Sequence, residues 1–125
     1  MDKVVHFEIP CKDMKRAETF YHQVFCWKTN FIPEIKYCIV HTIETDEKMM
    51  PVEKGAINGG LMNRGEIKHP VITISVESID ATLSKLNHHG GKVIKDKMPI
   101  GDMGFVAYFQ DCEGNVLGLW ENAGK

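Results

Sequence analysis

The sequence has no apolar run near the roughly 20 residues that a membrane-spanning helix needs. The opening Met1-Asp2-Lys3 leads directly into a strand-like segment and lacks the apolar core of a signal peptide. We therefore expect a cytoplasmic protein with no membrane partner.

Neither sign of charge dominates, because the 15 Lys and Arg residues nearly balance the 17 Asp and Glu residues and are interspersed with them. Nucleic-acid binding needs a basic surface to neutralise phosphates, so we expect no nucleic-acid partner. The four cysteines contain no Cys-x-x-Cys pair, which argues against a zinc cluster and against a disulfide framework. Reduced thiols that serve packing are expected.

The chain of 125 residues is 43% apolar and 26% charged. That balance allows a soluble chain with a buried core, and the length favours one domain over two independent cores. We therefore treat residues 1–125 as a single domain.

The first half of the chain shows a strand, a helix and three further strands. Period-2 alternation over Val4–Ile9 predicts a strand, and apolar residues at spacings of three and four predict a helix from an Asp13 N-cap to about Phe25. Extended segments are predicted around 27–31, 37–44 and 56–62, with a polar loop over 45–54.

The second half repeats this order. A strand is predicted at 71–76, and a helix that opens at Ser78 or Asp80 is predicted to stop at His88-His89-Gly90-Gly91. Strands follow at 92–95, 104–110 and 115–121, with a tight turn at 111–115. The result is two βαβββ modules, about 1–65 and 69–123.

An offset of 65 residues pairs the first strands of the modules, His6 with Val71. An offset of 60 pairs the last strands, Asn58 with Gly118. Since one helix covers only one face of its sheet, the modules are expected to form a curved mixed α+β sheet around a shared cavity. Because successive side chains of a strand point to opposite faces, one set of residues is predicted to face that cavity and another to face the helices. The cavity set is His6, Glu8, Asn58, Gly60, Val71, Thr73, Gly118 and Trp120, and the helix set is Phe7, Ile9, Ile72 and Ile74.

Several stretches resemble the glyoxalase/bleomycin resistance protein/dioxygenase superfamily, also called vicinal oxygen chelate proteins. They are Val5-His6-Phe7-Glu8-Ile9-Pro10 with Asp13-Met14, Gly55 to Met62, Val76 to Gly91, and the closing Phe109 to Glu121 with its Asp111-x-x-Gly114-Asn115 turn. The resemblance covers nearly the whole chain. It implies the fold of two βαβββ modules around a shared cavity.

In that superfamily a divalent metal is held by one ligand from each of four strands. The resemblance places these positions at His6, Asn58, Val71 and Gly118. Only His6 is a good donor, since valine and glycine side chains have no lone pair and an amide oxygen is a weak ligand. We therefore expect no metal and no other cofactor. Glu8, or His69 with a slipped register, could rebuild a site.

The predicted catalytic residues are Glu8 and His6. A carboxylate facing an apolar cavity is a candidate general base or hydrogen-bond acceptor, and the alternative is a solvated residue at the cavity mouth. His6 could instead be a packed histidine, and Asn58 could mark a bulge. Tyr108 and Trp120, with Phe105 and Tyr37, could form an aromatic wall or belong to the core. The predicted ligand-binding residues are His6, Glu8, Asn58, Gly60, Thr73, Tyr108 and Trp120.

Three functions remain open at this stage. The first is a metal-independent enzyme or ligand-binding protein for a small organic molecule. The second is a metal-dependent lyase or isomerase resembling lactoylglutathione lyase, and the third is a sequestering protein like the bleomycin-resistance members. A homodimer is expected, with apolar surface from Met62, Trp27 and Phe31.

Overall fold

The computed structural model describes residues 1–124, which contain eight strands and two helices in the order of two βαβββ runs. The predicted α+β class is confirmed. The strands are β1 (Val4–Cys11), β2 (Lys28–Ile32), β3 (Tyr37–His41), β4 (Gly59–Asn63), β5 (Val71–Ser75), β6 (Lys92–Ile100), β7 (Gly104–Gln110) and β8 (Val116–Asn122), and the helices are α1 (Met14–Phe25) and α2 (Ile79–Asn87). Neither helix has the length and apolarity needed to cross a bilayer.

The first compact unit comprises His6–Pro70. Its strands lie in the order β2-β3-β4-β1, with β1 parallel to β4 and the other pairs antiparallel. The Asp13 carboxylate accepts a hydrogen bond from the Arg16 backbone N–H at 3.1 Å, which confirms the predicted cap of α1. The helix ends at Cys26 in a left-handed conformation with φ 61°. The buried residues of its core are Cys11, Cys38, Val40 and Leu61, with Phe7, Ile9, Met14, Ala17, Tyr21 and Trp27 packed around them.

The second compact unit combines residues 1–5 with residues 71–124. Its strands from β5 lie in the order β5-β8-β7-β6, with β5 parallel to β8. Ser78, one of the two predicted N-caps, accepts a hydrogen bond from the Ala81 backbone N–H at 3.1 Å, so α2 begins one residue after it. Its core consists of Val76, Ile79, Leu83, Ala107 and Leu119.

The first five residues cluster with the second unit rather than with the module that follows them in sequence. The backbone N–H of Ser75 donates a hydrogen bond to the carbonyl of Lys3 at 2.9 Å, so the N-terminal segment belongs to the second unit. Sequence periodicity gives no sign of this, because backbone pairing between distant segments leaves no local pattern.

Several details differ from the predicted pattern: β3 ends at His41 rather than at residue 44, and β4 begins at Gly59 rather than at residue 56. Strand β6 extends to Ile100, well beyond the predicted end at Lys95, with register shifts between Val93 and Lys95 and between Lys95 and Met98. These irregularities break the alternation that the prediction used. Ile72 is 49% exposed rather than packed under a helix. Phe105 packs against the α2 core, with the Lys97 ammonium 4.4 Å above its ring, and so it is not part of an aromatic wall on the other face.

Candidate functional site

A row of polar groups lies on the face of the first unit opposite α1. His6 and Glu8 alternate on β1 with Phe7 and Ile9, which pack against the helix. Glu8 is paired in register with Gly60 on β4 and is only 6% exposed. The sequence prediction that His6, Glu8 and Gly60 share one face is consistent with this register.

Tyr37, at the start of β3, completes the row. Its hydroxyl lies 2.8 Å from Nε2 of His6, and the two rings are stacked with an interplanar angle of 16°. The ring also occupies the space that a Cβ atom at residue 60 would need. Gly60 is therefore required for the His6–Tyr37 contact. Sequence reasoning placed Tyr37 only in an aromatic wall, although a tyrosine diagonal to a strand glycine is a known cross-strand arrangement.

Burial controls the charge of His6. Removal of the ring from water lowers the pKa of His6 below its usual 6.5, and the nearby Glu8 carboxylate opposes this shift to a smaller extent. The imidazole is therefore neutral near pH 7, with one nitrogen that donates and one that accepts. Its Nε2 atom and the Tyr37 hydroxyl can each donate or accept in the bond that joins them.

A second row of residues crosses the strands of the second unit. Gly118 on β8 is paired with Thr73 on β5 and with Tyr108 on β7. Thr73 and Tyr108 are both buried, and the Thr73 hydroxyl oxygen lies 2.8 Å from where a Cβ atom at residue 118 would stand. Trp120 is half-buried, and its indole N–H donates to the Asn122 side-chain oxygen at 2.7 Å.

Strand register corrects the predicted alignment of the closing strands. Glu8 pairs with Gly60 in the first unit, and Thr73, which is 65 residues after Glu8, pairs with Gly118 in the second. Gly60 is thus the internal counterpart of Gly118, and the offset of 60 that chose Asn58 was wrong by two residues. Asn58 precedes β4, where its side-chain oxygen accepts hydrogen bonds from the backbone N–H groups of Thr42 at 2.8 Å and Ile43 at 3.1 Å. These hydrogen bonds join the residue before β4 to the two residues that follow the end of β3.

The side chains at the superfamily's metal-ligand positions do not fit a divalent cation. With the corrected register these positions are His6, Gly60, Val71 and Gly118, of which only His6 carries a donor. The space beside Gly60 is filled by the Tyr37 phenol and that beside Gly118 contains the Thr73 hydroxyl. His69 is exposed in the loop before β5, and within residues 1–124 no three His, Cys, Asp or Glu side chains form a group that could hold an ion.

The family model described as Glyoxalase/Bleomycin resistance protein/Dioxygenase superfamily matches residues 3–119. The chain belongs to this superfamily. A glyoxylase-like domain-containing protein from Didymella fabae is 27% identical over an alignment 124 residues long, and the alignment covers 94% of this chain and 92% of the relative. The resemblance in the sequence is thereby confirmed over nearly the whole chain.

Solved structures share the fold of this chain. A hypothetical protein from Bacillus halodurans C-125 aligns with a TM-score of 0.66 and 17% identity, covering 99% of this chain and 96% of its own. A variant of methylmalonyl-CoA epimerase from Streptomyces coelicolor, in complex with 2-nitronate-propionyl-CoA, aligns with a TM-score of 0.66 and 18% identity, covering 98% of each chain. At these identities the likeness shows the fold alone.

Proposed function

We propose that this protein binds a small organic molecule at the row formed by His6, Glu8 and Tyr37, without the metal ion of its superfamily. It acts either as a metal-independent enzyme or as a binding protein. One observation carries the proposal: the Tyr37 phenol fills the space of a missing ligand side chain at Gly60 and contacts the remaining donor, His6. A hydrogen-bonding pair thus stands where the superfamily places metal ligands.

The chemistry of this row suits a ligand that carries both carbonyl and hydroxyl oxygens. A neutral imidazole and a phenol can each donate or accept a hydrogen bond, and a carboxylate accepts two or more. Glu8 is buried and paired in register with Gly60, which the Tyr37 ring covers, so the carboxylate and the phenol belong to one row. If the ligand has an acidic C–H or O–H, Glu8 is the proposed base, a role worth about 10²–10⁴-fold in rate.

Coenzyme A thioesters are one ligand class to examine first. Two methylmalonyl-CoA epimerase structures that share this fold contain methylmalonyl-CoA or 2-nitronate-propionyl-CoA. A thioester carbonyl is an acceptor for the Tyr37 hydroxyl, and a neighbouring carboxylate or hydroxyl would contact the neutral His6. S-lactoylglutathione is the matched thioester without a nucleotide.

The test is calorimetric titration of methylmalonyl-CoA and S-lactoylglutathione into protein treated with EDTA. We expect binding of at least one thioester that EDTA leaves unchanged and that Tyr37→Phe and His6→Ala weaken about tenfold. His69→Ala, which removes an exposed imidazole, is the matched control and should bind normally. Metal analysis that finds one tightly held ion per chain, with binding abolished by EDTA, would instead support the metal-dependent lyase or isomerase.

We also propose that the protein is a homodimer. Phe31 on β2 is 47% exposed and offers apolar surface, whereas Met62 and Trp27 are half-buried, and Trp27 stacks on Tyr21 with the ring centroids 4.9 Å apart. Sedimentation equilibrium should give twice the 14.2 kDa chain mass at micromolar concentration. A single species of chain mass would contradict a dimer and leave the ligand proposal intact.

A further inference from the structure

A second recess in the first unit lies away from the His6 row, at the carboxyl ends of the parallel strands β1 and β4. The last register pair of these strands is Cys11 with Asn63, and the Arg64 N–H donates to the Cys11 carbonyl at 3.0 Å. The two residues that follow the strands, Lys12 and Arg64, therefore come together at one edge. Helix α1 begins beside them. The recess has a volume of about 500 Å³, within the usual range of small-molecule sites.

Three cations line this basic groove, which we define by Lys12, Arg16, Arg64 and the aromatic residues Phe20 and Tyr21. The only acid in its lining is Asp13, whose carboxylate already caps α1 through the Arg16 backbone N–H. Within residues 1–124, none of the three cations forms an ion pair, whether Lys12, Arg16 or Arg64. The groove thus presents an excess of positive charge in a protein whose net charge is −2.

The internal repeat shows that the fold does not require these cations. Asp13 and Ser78 cap the two helices at an offset of 65, which aligns Lys12 with Glu77 and Arg16 with Ala81. The register of the closing strands aligns Arg64 with Asn122. The corresponding recess in the second unit has a volume of about 210 Å³ and includes Glu77 and Asn122. The second recess has one lining basic side chain, Lys3, at a position that matches none of these three, and two lining acids, Asp2 and Glu77.

We propose that the basic groove binds an organic phosphate that carries a planar ring, as a nucleotide does. Arginine guanidinium groups match the geometry of phosphate oxygens, and Lys12 adds a third positive charge. Phe20, on the next turn of α1 after Arg16, is 53% exposed and offers its ring to a base or another flat group. The groove is separate from the His6 row, and this proposal does not depend on the function proposed above.

The test uses three probes on the intact chain: adenosine 5′-monophosphate, adenosine and inorganic pyrophosphate. Binding is followed by NMR shifts and calorimetry at low and moderate salt. We expect the monophosphate to bind with shifts centred on residues 12–20 and 64, adenosine to bind much more weakly, and the affinity for the monophosphate to fall as salt rises.

Two variants separate the parts of the groove. Arg16→Ala with Arg64→Ala should weaken monophosphate and pyrophosphate binding about tenfold or more, whereas Phe20→Ser should weaken only the monophosphate, by about fivefold or more. Lys54→Ala with Lys68→Ala removes the same charge from exposed loop positions and should change neither. Equal binding by the double-arginine variant and the double-lysine control, or shifts that map outside the groove, would overturn the proposal. All three substitution sets replace exposed side chains, so folding is checked by an unchanged NMR spectrum elsewhere.

Discussion

The phenol ring of Tyr37 lies across Gly60, in the space that any side chain at residue 60 would need. The same ring contacts His6 through its hydroxyl at 2.8 Å. Gly60 on β4 therefore allows the His6 imidazole on β1 to contact Tyr37, because it leaves room for the phenol ring. A donor side chain at residue 60 and the His6–Tyr37 pair would need the same volume, so both cannot be present together.

Gly60→Ala is expected to displace Tyr37, because the added methyl group would overlap the ring. The neighbouring β4 residues Gly59 and Leu61 are also buried, which leaves the strand little freedom to move away. The free energy of unfolding should fall by about 1–3 kcal/mol, as for other overpacked sites. Urea denaturation measures this change. Gly65→Ala is the control, since a Cβ atom at residue 65 would meet nothing within 4 Å. A Gly60→Ala protein of normal stability, with the His6–Tyr37 contact intact, would show that the ring position is not fixed by the glycine.

The pKa of His6 predicts an acid-labile component of stability. Burial holds this pKa below 6.5 in the folded state, so the unfolded chain binds a proton first as the pH falls. The contribution is complete above pH 6.5 and is lost as the pH drops through the folded-state pKa. His6→Gln, which cannot titrate, should therefore make the decline in unfolding free energy between about pH 7 and pH 5 shallower. Identical pH profiles for the two proteins, or an NMR titration of His6 above 6.5, would refute this.

Glu121 is predicted to stabilise the start of α2. Its Oε1 atom accepts a hydrogen bond from the backbone N–H of Ile79 at 2.7 Å, and its Oε2 atom lies 3.5 Å from the Lys97 ammonium. Glu121→Ala removes this acceptor from a buried donor and should cost about 1–3 kcal/mol of unfolding free energy. Glu121→Gln keeps an acceptor and should cost less. Thermal and urea unfolding of both variants, beside the exposed Glu113→Ala control, would test that order.

The four thiols should separate into two classes under alkylation. Burial raises the pKa of Cys38 to about 11, and the Glu18 carboxylate, which accepts a hydrogen bond from this thiol at 3.4 Å, adds to the shift. Burial also raises the pKa of Cys11. Cys26 and Cys112 are exposed. Brief iodoacetamide treatment of native protein near pH 8 should label Cys26 and Cys112, and denatured protein should take up four labels. Mass spectrometry that finds Cys38 labelled as fast as Cys112 would contradict the assignment.

The features that the sequence predicted well are those decided by neighbouring residues. Asp13 and Ser78 cap their helices through N–H groups three residues ahead. Asp111 closes the predicted turn by accepting from the backbone N–H groups of Glu113 at 2.8 Å and Asn115 at 2.9 Å. Such contacts form within a few residues, so local composition is enough to predict them.

Features that depend on distant residues were predicted less well. The glycine-rich approach to β4 has little alternation, so nothing local distinguished Asn58 from Gly60 as the residue opposite β1. The parity of β1 did place His6 and Glu8 on one face. The Tyr37 partner could not be found in the same way, because its contact with His6 joins strands that are not neighbours in the first unit.

The hydrogen bond between Lys3 and Ser75 has a consequence for synthesis of the chain. Translation delivers Lys3 before Ser75, so Lys3 cannot meet its backbone partner until Ser75 has left the ribosome. The intervening His6–Pro70 unit has emerged by then, while residues 1–5 still await the strand they pair with. A change at Lys3 therefore acts on a unit whose other residues are made after His6–Pro70.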